Sequence, residues 1–337
     1  MATTASSSTP GWAKVQIPRP LQRLFDLFPL RAYEPNDLPE RSRQLTASHL
    51  PTLYIFTTEE AARLGLPSFN PTCLRWQTLL RLTGLEFRVL PSTNHASPTG
   101  ALPFILPPRQ QLSSSQPPSP IPTSKLLPYA RQHCNPAKNR HPATSGDKLF
   151  PTRARAYVAL VSSHLRSAWL HALYLDPAHA ELLDELYLRP ASSSRAVRAA
   201  LKAQLRKAAA EQILNSAPEA GGLHTEYNSS TDGHWTGGHE PVVINPRIVY
   251  SHAREALAAL AALLAESATE WFFDADTPSE FDAAVFSYTH LMMEYMDQPG
   301  GLGEMVRRAG EGELARHREG LLRFVWPEMA GGKKEGK

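Results

Sequence analysis

Between Leu50 and Val89 the chain alternates two hydrophobic periods in an order that few folds accommodate. The run LPTLYIFTT (50–58) is rich in β-branched and aromatic residues and too short for a helix, which predicts a buried strand. Asn70 then supplies a capping side chain, Pro71 suits the first helical position, and Cys73, Trp76 and Leu80 keep a helical spacing up to a stop at Gly84. Directly afterwards Leu85, Phe87 and Val89 alternate with Glu86 and Arg88, the period of two of a second strand. Strand, helix and strand in such short succession predict a βαβ unit with parallel strands and a right-handed crossover. ALPFIL (101–106) predicts a further strand. It is entered through Pro103, which has no amide hydrogen for a ladder and so belongs at the strand start or in a tight turn, where a cis bond is accommodated.

The pattern then changes. Residues 107–124 are low-complexity Pro/Ser, a short helix is expected at 124–132, and a loop-like stretch follows at 134–152. From 151 onward the chain alternates Ala/Leu-rich helical segments near 152–175, 178–188, 192–214, 247–269, 279–297 and 301–325, interrupted by a Gly-, Ser- and His-rich loop at 216–246. The expected organisation is α+β: an arm (1–45), a sheet domain (46–132) with the insertion 107–124, a linker (133–150), an all-helical domain (151–326) and a flexible tail (327–337). A length of 337 residues supports two domains, and 42% hydrophobic with 20% charged residues excludes wholesale disorder.

Charge and cysteine content exclude several function classes. Lysine plus arginine exceed aspartate plus glutamate by 35 − 32 = 3, too little for a dedicated nucleic-acid binder. Two cysteines, Cys73 and Cys134, exclude a disulfide scaffold and a four-thiolate zinc site. The opening MATTASSSTPGW has no basic and apolar regions of a secretory signal, and the longest apolar run, Ala256 to Ala265, stops at Glu266, so membrane association is expected to be peripheral.

Four features bear on chemistry. Cys73 near a helix start has one reading as a nucleophile activated by unpaired N–H groups and the helix dipole, and another as a small buried hydrophobe. His224, His234, His239 and Glu240 lie in a Gly-rich loop without the helical spacing that holds metal ligands, so solvated histidines are expected. From Arg88 to Gly146 there is no Asp or Glu, while Arg88, Arg109, Lys125, Arg131, Lys138 and Arg140 make a basic block. Arg195, Arg198, Lys202 and Arg206 share one helix face, either as a solvated stripe or as a surface for anionic lipid or an acidic protein. In the arm, Leu21, Leu24, Phe25 and Phe28 form an apolar patch suited to docking.

The runs LPTLYIFTT, LPSFNPTCLRWQTLLRLTG, LEFRVLPSTNHASPTGALPFIL and PSEFDAAVFSYTHLM resemble the metaxin family, and LFDLFPLRAYEPNDLPER resembles its fungal form in the mitochondrial sorting and assembly machinery. The resemblance is close over about residues 21–106 and 278–296 and thin between. It implies a glutathione-transferase-like fold: a thioredoxin-like N-terminal domain and an all-helical C-terminal domain. Pro103 is similar to the cis-proline before the third strand, and Ser279 with Asp282 to the capping box of a buried helix. Glutathione transferases hold the γ-glutamyl group with an acidic residue and a serine after the fourth strand, and here the matching region reads Pro122-Thr123-Ser124. The resemblance therefore implies no enzyme and no cofactor, but a receptor-type subunit peripheral on the cytosolic face of the mitochondrial outer membrane. Its implied partners are a barrel-forming subunit, a second metaxin-like subunit, β-barrel precursors bearing a β-signal and the anionic membrane surface, with no nucleic acid. The alternatives are a glutathione-dependent transferase or thiol reductase using Cys73, and a scaffold without client contact.

Overall fold

The computed structural model describes residues 49–108, 119–134, 152–221 and 244–331, all within one compact unit, Ser48–Lys337. Strand β1 (Thr52–Ile55) is followed by helix α1 (Glu59–Leu64), helix α2 (Pro71–Leu82) and strand β2 (Arg88–Pro91), then β3 (Phe104–Leu106) and β4 (Ile121–Pro122). The sheet order is β2-β1-β3-β4. β1 and β2 run parallel with Leu53 opposite Val89, whereas β3 is antiparallel to both β1 and β4. The βαβ expectation holds, and the Leu102–Pro103 peptide is cis immediately before β3.

Local chemistry explains the elements. Asn70 caps α2 by accepting from the Cys73 N–H at 3.2 Å, and Pro71 occupies the first turn. Leu53, Ile55 and Ile105 are fully buried, and the cross-strand pair Tyr54 and Phe104 stacks with ring centroids 4.5 Å apart. Helix α3 (Leu126–His133) closes the sheet domain.

The helical region begins with α4 (152–175), a continuous helix carrying π turns at Val161–Leu165 and His171–Leu175. α5 (180–188), α6 (Arg195–Ser216), α7 (Pro246–Ala265), α8 (Glu280–Tyr295), α9 (Leu302–Arg308), α10 (Glu313–Val325) and α11 (Pro327–Gly331) follow. Every residue of α8 from Phe281 to Met292 is buried, including the polar Asp282, Ser287, Thr289 and His290, because this helix runs through the middle of the domain. Leu74 and Leu82 of α2 belong to the same apolar cluster as the helical domain, which locks the two parts together.

Several expectations are corrected. The segment 107–124 is not all low-complexity loop, because Ile121–Pro122 pairs with β3 and Thr123–Lys125 forms a 3-10 turn; the proline is tolerated on an outer strand. The helix expected at 301–325 is two helices, broken at 309–312 where Gly310, Glu311 and Gly312 take positive φ. The Pro327–Gly331 part of the tail is helical. α7 reaches 20 residues with mean hydropathy 1.3, long and apolar enough to cross a membrane, although counting uninterrupted apolar residues excluded it. Its apolar face, from Val249 to Leu264, is buried in the domain core, as in a helix of a packed core.

Candidate functional site

Cys73 and the segment just after β4 are the places where the sequence left a chemical alternative open. Cys73 is wholly buried, and burial pushes its thiol up to about 12 despite opposing contributions from the Phe56 backbone and the Ser68 hydroxyl. The polar groups around it are already engaged. Ser68 Oγ donates to Phe56 O at 2.5 Å, Ser68 N–H donates to Gln77 Oε1 at 2.8 Å, and Gln77 Nε2 donates to Leu66 O at 2.9 Å. Of the two readings of Cys73, the geometry matches the buried hydrophobe: a neutral thiol without access is a poor nucleophile.

After β4, Thr123 Oγ1 donates to Pro103 O at 2.7 Å, so this side chain braces the cis-proline corner, and Ser124 is exposed. Neither neighbour is acidic. Of this pair, Thr123 serves the backbone carbonyl just before β3, and Ser124 faces solvent.

The fold markers behave as the resemblance implied. Ser279 caps α8 by accepting from the Phe281 and Asp282 N–H groups, while Asp282 accepts from the Ser279 N–H, completing a capping box. Sequence reasoning missed the further partners of Asp282, namely the Phe272 N–H at 3.1 Å and His317 Nε2 at 2.9 Å. These lie 10 and 35 residues away, beyond any local pattern.

The basic stripe lies on α6, but its members differ. Arg198 sits 3.4 Å from Asp184 and donates to the Ser192 and Ser193 carbonyls, and Arg206 donates to Leu175 O at 3.2 Å. Among the described residues, Arg195 and Lys202 have no such bond, and Arg195 is exposed. Half of the stripe is thus spent on holding α6 against α4 and α5. Leu24, Phe25 and Phe28 of the arm, and His224, His234, His239 and Glu240, lie outside the described residues. Arg88, Lys125 and Arg131 of the acid-free block are described, whereas Arg109, Lys138 and Arg140 are not. Among the described residues, no group of three or more His, Cys, Asp and Glu side chains is placed to hold a metal.

A cleft of about 1020 Å³ runs along β2, one of the two outer strands of the sheet, between α1 and the C-terminal helices α10 and α11. Leu50 and Leu64, 38% and 56% exposed, line it together with Arg63, Glu86 and Arg88. Its floor is held by Arg81, which donates to Gly65 O and Val325 O, pairs with Glu328 and lies 5.0 Å over the Trp326 ring. This joint between the two halves was also missed by sequence, since its partners are 244 and 247 residues away from Arg81.

Two family models match the sequence. Residues 71–179 match the family model of the glutathione S-transferase N-terminal domain, and residues 253–319 that of the glutathione S-transferase C-terminal domain. Among solved structures, a serine-to-cysteine mutant of poplar glutathione transferase F1 is similar at 11% identity, with TM-score 0.35, over 86% of this chain and 100% of that one. No curated protein matches the sequence. With a β2-β1-β3-β4 sheet domain ahead of a helical domain, one family model matching from α2 through α4 and the other within the helical domain, the chain is a glutathione S-transferase-like protein, a thioredoxin-like N-terminal domain joined to a helical C-terminal domain.

Proposed function

We propose that this protein is a non-enzymatic receptor-type subunit of the mitochondrial outer-membrane sorting and assembly machinery. It sits peripherally on the cytosolic face, bound to a barrel-forming subunit and a second metaxin-like subunit. There it receives β-barrel precursors through their β-signal and hands them on for insertion. The observation that carries this reading is the fate of the glutathione-binding positions. Thr123 braces Pro103, no acidic residue stands beside it, and Cys73 is a buried neutral thiol, so the transferase ancestry is kept as architecture. The metaxin-like runs at 50–106 and 278–292 supply the family direction.

The physical task suits the fold. An unfolded barrel strand carries unpaired backbone groups and alternating apolar residues, and it aggregates unless its edge is paired or covered. An outer strand bordering a cleft of mixed apolar and charged lining, as β2 does, is a setting in which an extended segment adds through main-chain hydrogen bonds. Photo-crosslinking tests the reading. A peptide carrying a β-signal, with a photoreactive residue, should label the purified protein more strongly than its scrambled counterpart. Equal labelling by the two peptides would contradict client recognition and leave the scaffold alternative.

A further inference from the structure

The backbone of β2 fixes which of its groups a partner can reach. The Arg88 and Ser92 N–H groups donate to Pro51 O and Ile55 O on the β1 side, each at 2.9 Å. Successive residues of a strand turn their backbone groups to opposite neighbours, so the positions between Arg88 and Ser92 that are out of phase with them face the other way. The N–H and C=O of Val89 and the C=O of Pro91 therefore point away from β1, to the side on which the sheet ends. Among the described residues no main-chain group outside the sheet bonds to them. Val89 thus offers a donor and an acceptor together, and Pro91 adds an acceptor without a donor.

The charges beside this edge do not cancel locally. Of the carboxylates lining the cleft, Glu328 pairs with Arg81, and Glu59 and Glu86 each have an interaction of their own. Arg63, in the last turn of α1, and Arg88, on β2 itself, line the same cleft and are exposed. Among the described residues neither has a hydrogen bond or an ion pair. Two unpaired guanidinium groups beside an open main-chain edge match a segment that is extended and carries a carboxylate, which an arginine fork grips with two parallel hydrogen bonds. A second copy of this chain is a poorer match. Pairing β2 with β2 would set the two Arg88 side chains diagonally on one face as like charges, and Pro91 would leave a partner carbonyl without a donor.

We infer that the β2 edge takes an acidic extended peptide segment, which exchanges main-chain hydrogen bonds with Val89, lays its apolar side chains over Leu64 and places one carboxylate at Arg63 and Arg88. The inference deepens the receptor reading and rests on it for the identity of the client: it states how the client is held and adds an acidic side chain to what is recognised.

The test is calorimetric titration of the full chain with an eight-residue peptide alternating serine or threonine with valine, blocked at both termini and made with a single glutamate at its first or its last position. At least one version should bind, and its glutamine counterpart should bind about threefold or more weakly. In the Arg63→Gln, Arg88→Gln double variant, whose changes are confined to exposed side chains, that difference should vanish. N-methylation then probes the main chain without altering the protein. Methylating one alternate set of peptide amides should weaken binding by about tenfold or more, and methylating the intervening set should not. Absence of binding by both versions, equal effects of the two methylation sets, or a glutamate preference that survives in the double variant overturns the inference. Repeating the methylation series on a β-signal peptide and its scrambled counterpart separates the two claims. Set-dependent binding without preference for the β-signal supports the edge and contradicts the receptor reading, whereas preference for the β-signal with both sets alike does the reverse.

Discussion

His317 Nε2 lies 2.9 Å from Asp282 Oδ1, and neither side chain is exposed to solvent. The pair ties α10 to the first turn of α8, and the same carboxylate accepts from the Phe272 N–H, the Ser279 N–H and the Ser279 hydroxyl. A single side chain therefore closes a helix cap, a loop and a helix–helix contact. Asp282→Ala strands several buried donors at once and should destabilise the protein by about 3 kcal/mol, beyond the ~1 kcal/mol of an ordinary cap. Urea unfolding checks the value. A double-mutant cycle with His317→Ala should show coupling of about 1 kcal/mol or more, because the two groups share one network.

Arg81 makes the corresponding link between the domains. Arg81→Ala removes donors from Gly65 O and Val325 O and uncovers Trp326, and should cost about 2 kcal/mol. Glu328→Ala removes only an ion pair whose acidic partner is 50% exposed, and should cost less than about 1 kcal/mol. Thermal unfolding of the two variants side by side separates these outcomes.

Stability should fall as pH drops below neutrality. Burial, and after it Arg318, lowers His290 to about 3, and burial also lowers His164 and His171. A group depressed in the folded state binds its proton more readily when unfolded, so its contribution is present above the unfolded value of about 6.5 and is lost as pH falls toward 3. Between pH 7 and 5, His290 alone should account for about 2 kcal/mol. His290→Gln, which keeps an acceptor for Arg318 Nε, should flatten the urea midpoint against pH over that interval.

The sheet domain was largely legible in the sequence because its signals are local. The Asn70 cap, Pro71, the alternation at 85–89 and Pro103 each lie within a few residues of the element they define. β4 was hidden, since a two-residue strand ending in Pro122 has no period to read. α1 was also missed, although Thr58 and Gly65 cap it at either end, because six residues are too few for a helical face to emerge. The break in 301–325 turns on positive φ at Gly310 to Gly312, and an amphipathic pattern continues across it. The candidate sites were legible only in part. Residue type and spacing placed Arg195, Arg198, Lys202 and Arg206 on one face, but the partners that occupy Arg198 and Arg206 come from distant turns.

That division of the stripe has a measurable consequence. Reversing Arg195 and Lys202 to Glu should leave unfolding unchanged while reducing flotation with cardiolipin-containing liposomes at low salt, each lysine or arginine near an anionic surface being worth about 1 kcal/mol. Reversing Arg198 and Arg206 should lower stability, because their carbonyl and carboxylate partners then face like charges or lose donors. Flotation indifferent to both reversals would assign the stripe to solvent alone.

Cys73 should be silent toward thiol reagents in the native protein. With its thiol held at about 12 and no exposure, it should react with Ellman's reagent only at the rate of unfolding, while Cys134, which is partly exposed, reacts promptly. Two prompt equivalents would revive the thiol-reductase reading.

The receptor reading stands or falls on partners. The most direct measurement is affinity purification of the full chain from mitochondria in mild detergent, followed by mass spectrometry and, in parallel, passage over immobilised glutathione. The account predicts copurification of an outer-membrane barrel-forming protein and a second metaxin-like protein, with no retention on glutathione. Recovery of the chain without any barrel protein, together with specific elution from the glutathione resin, would contradict it.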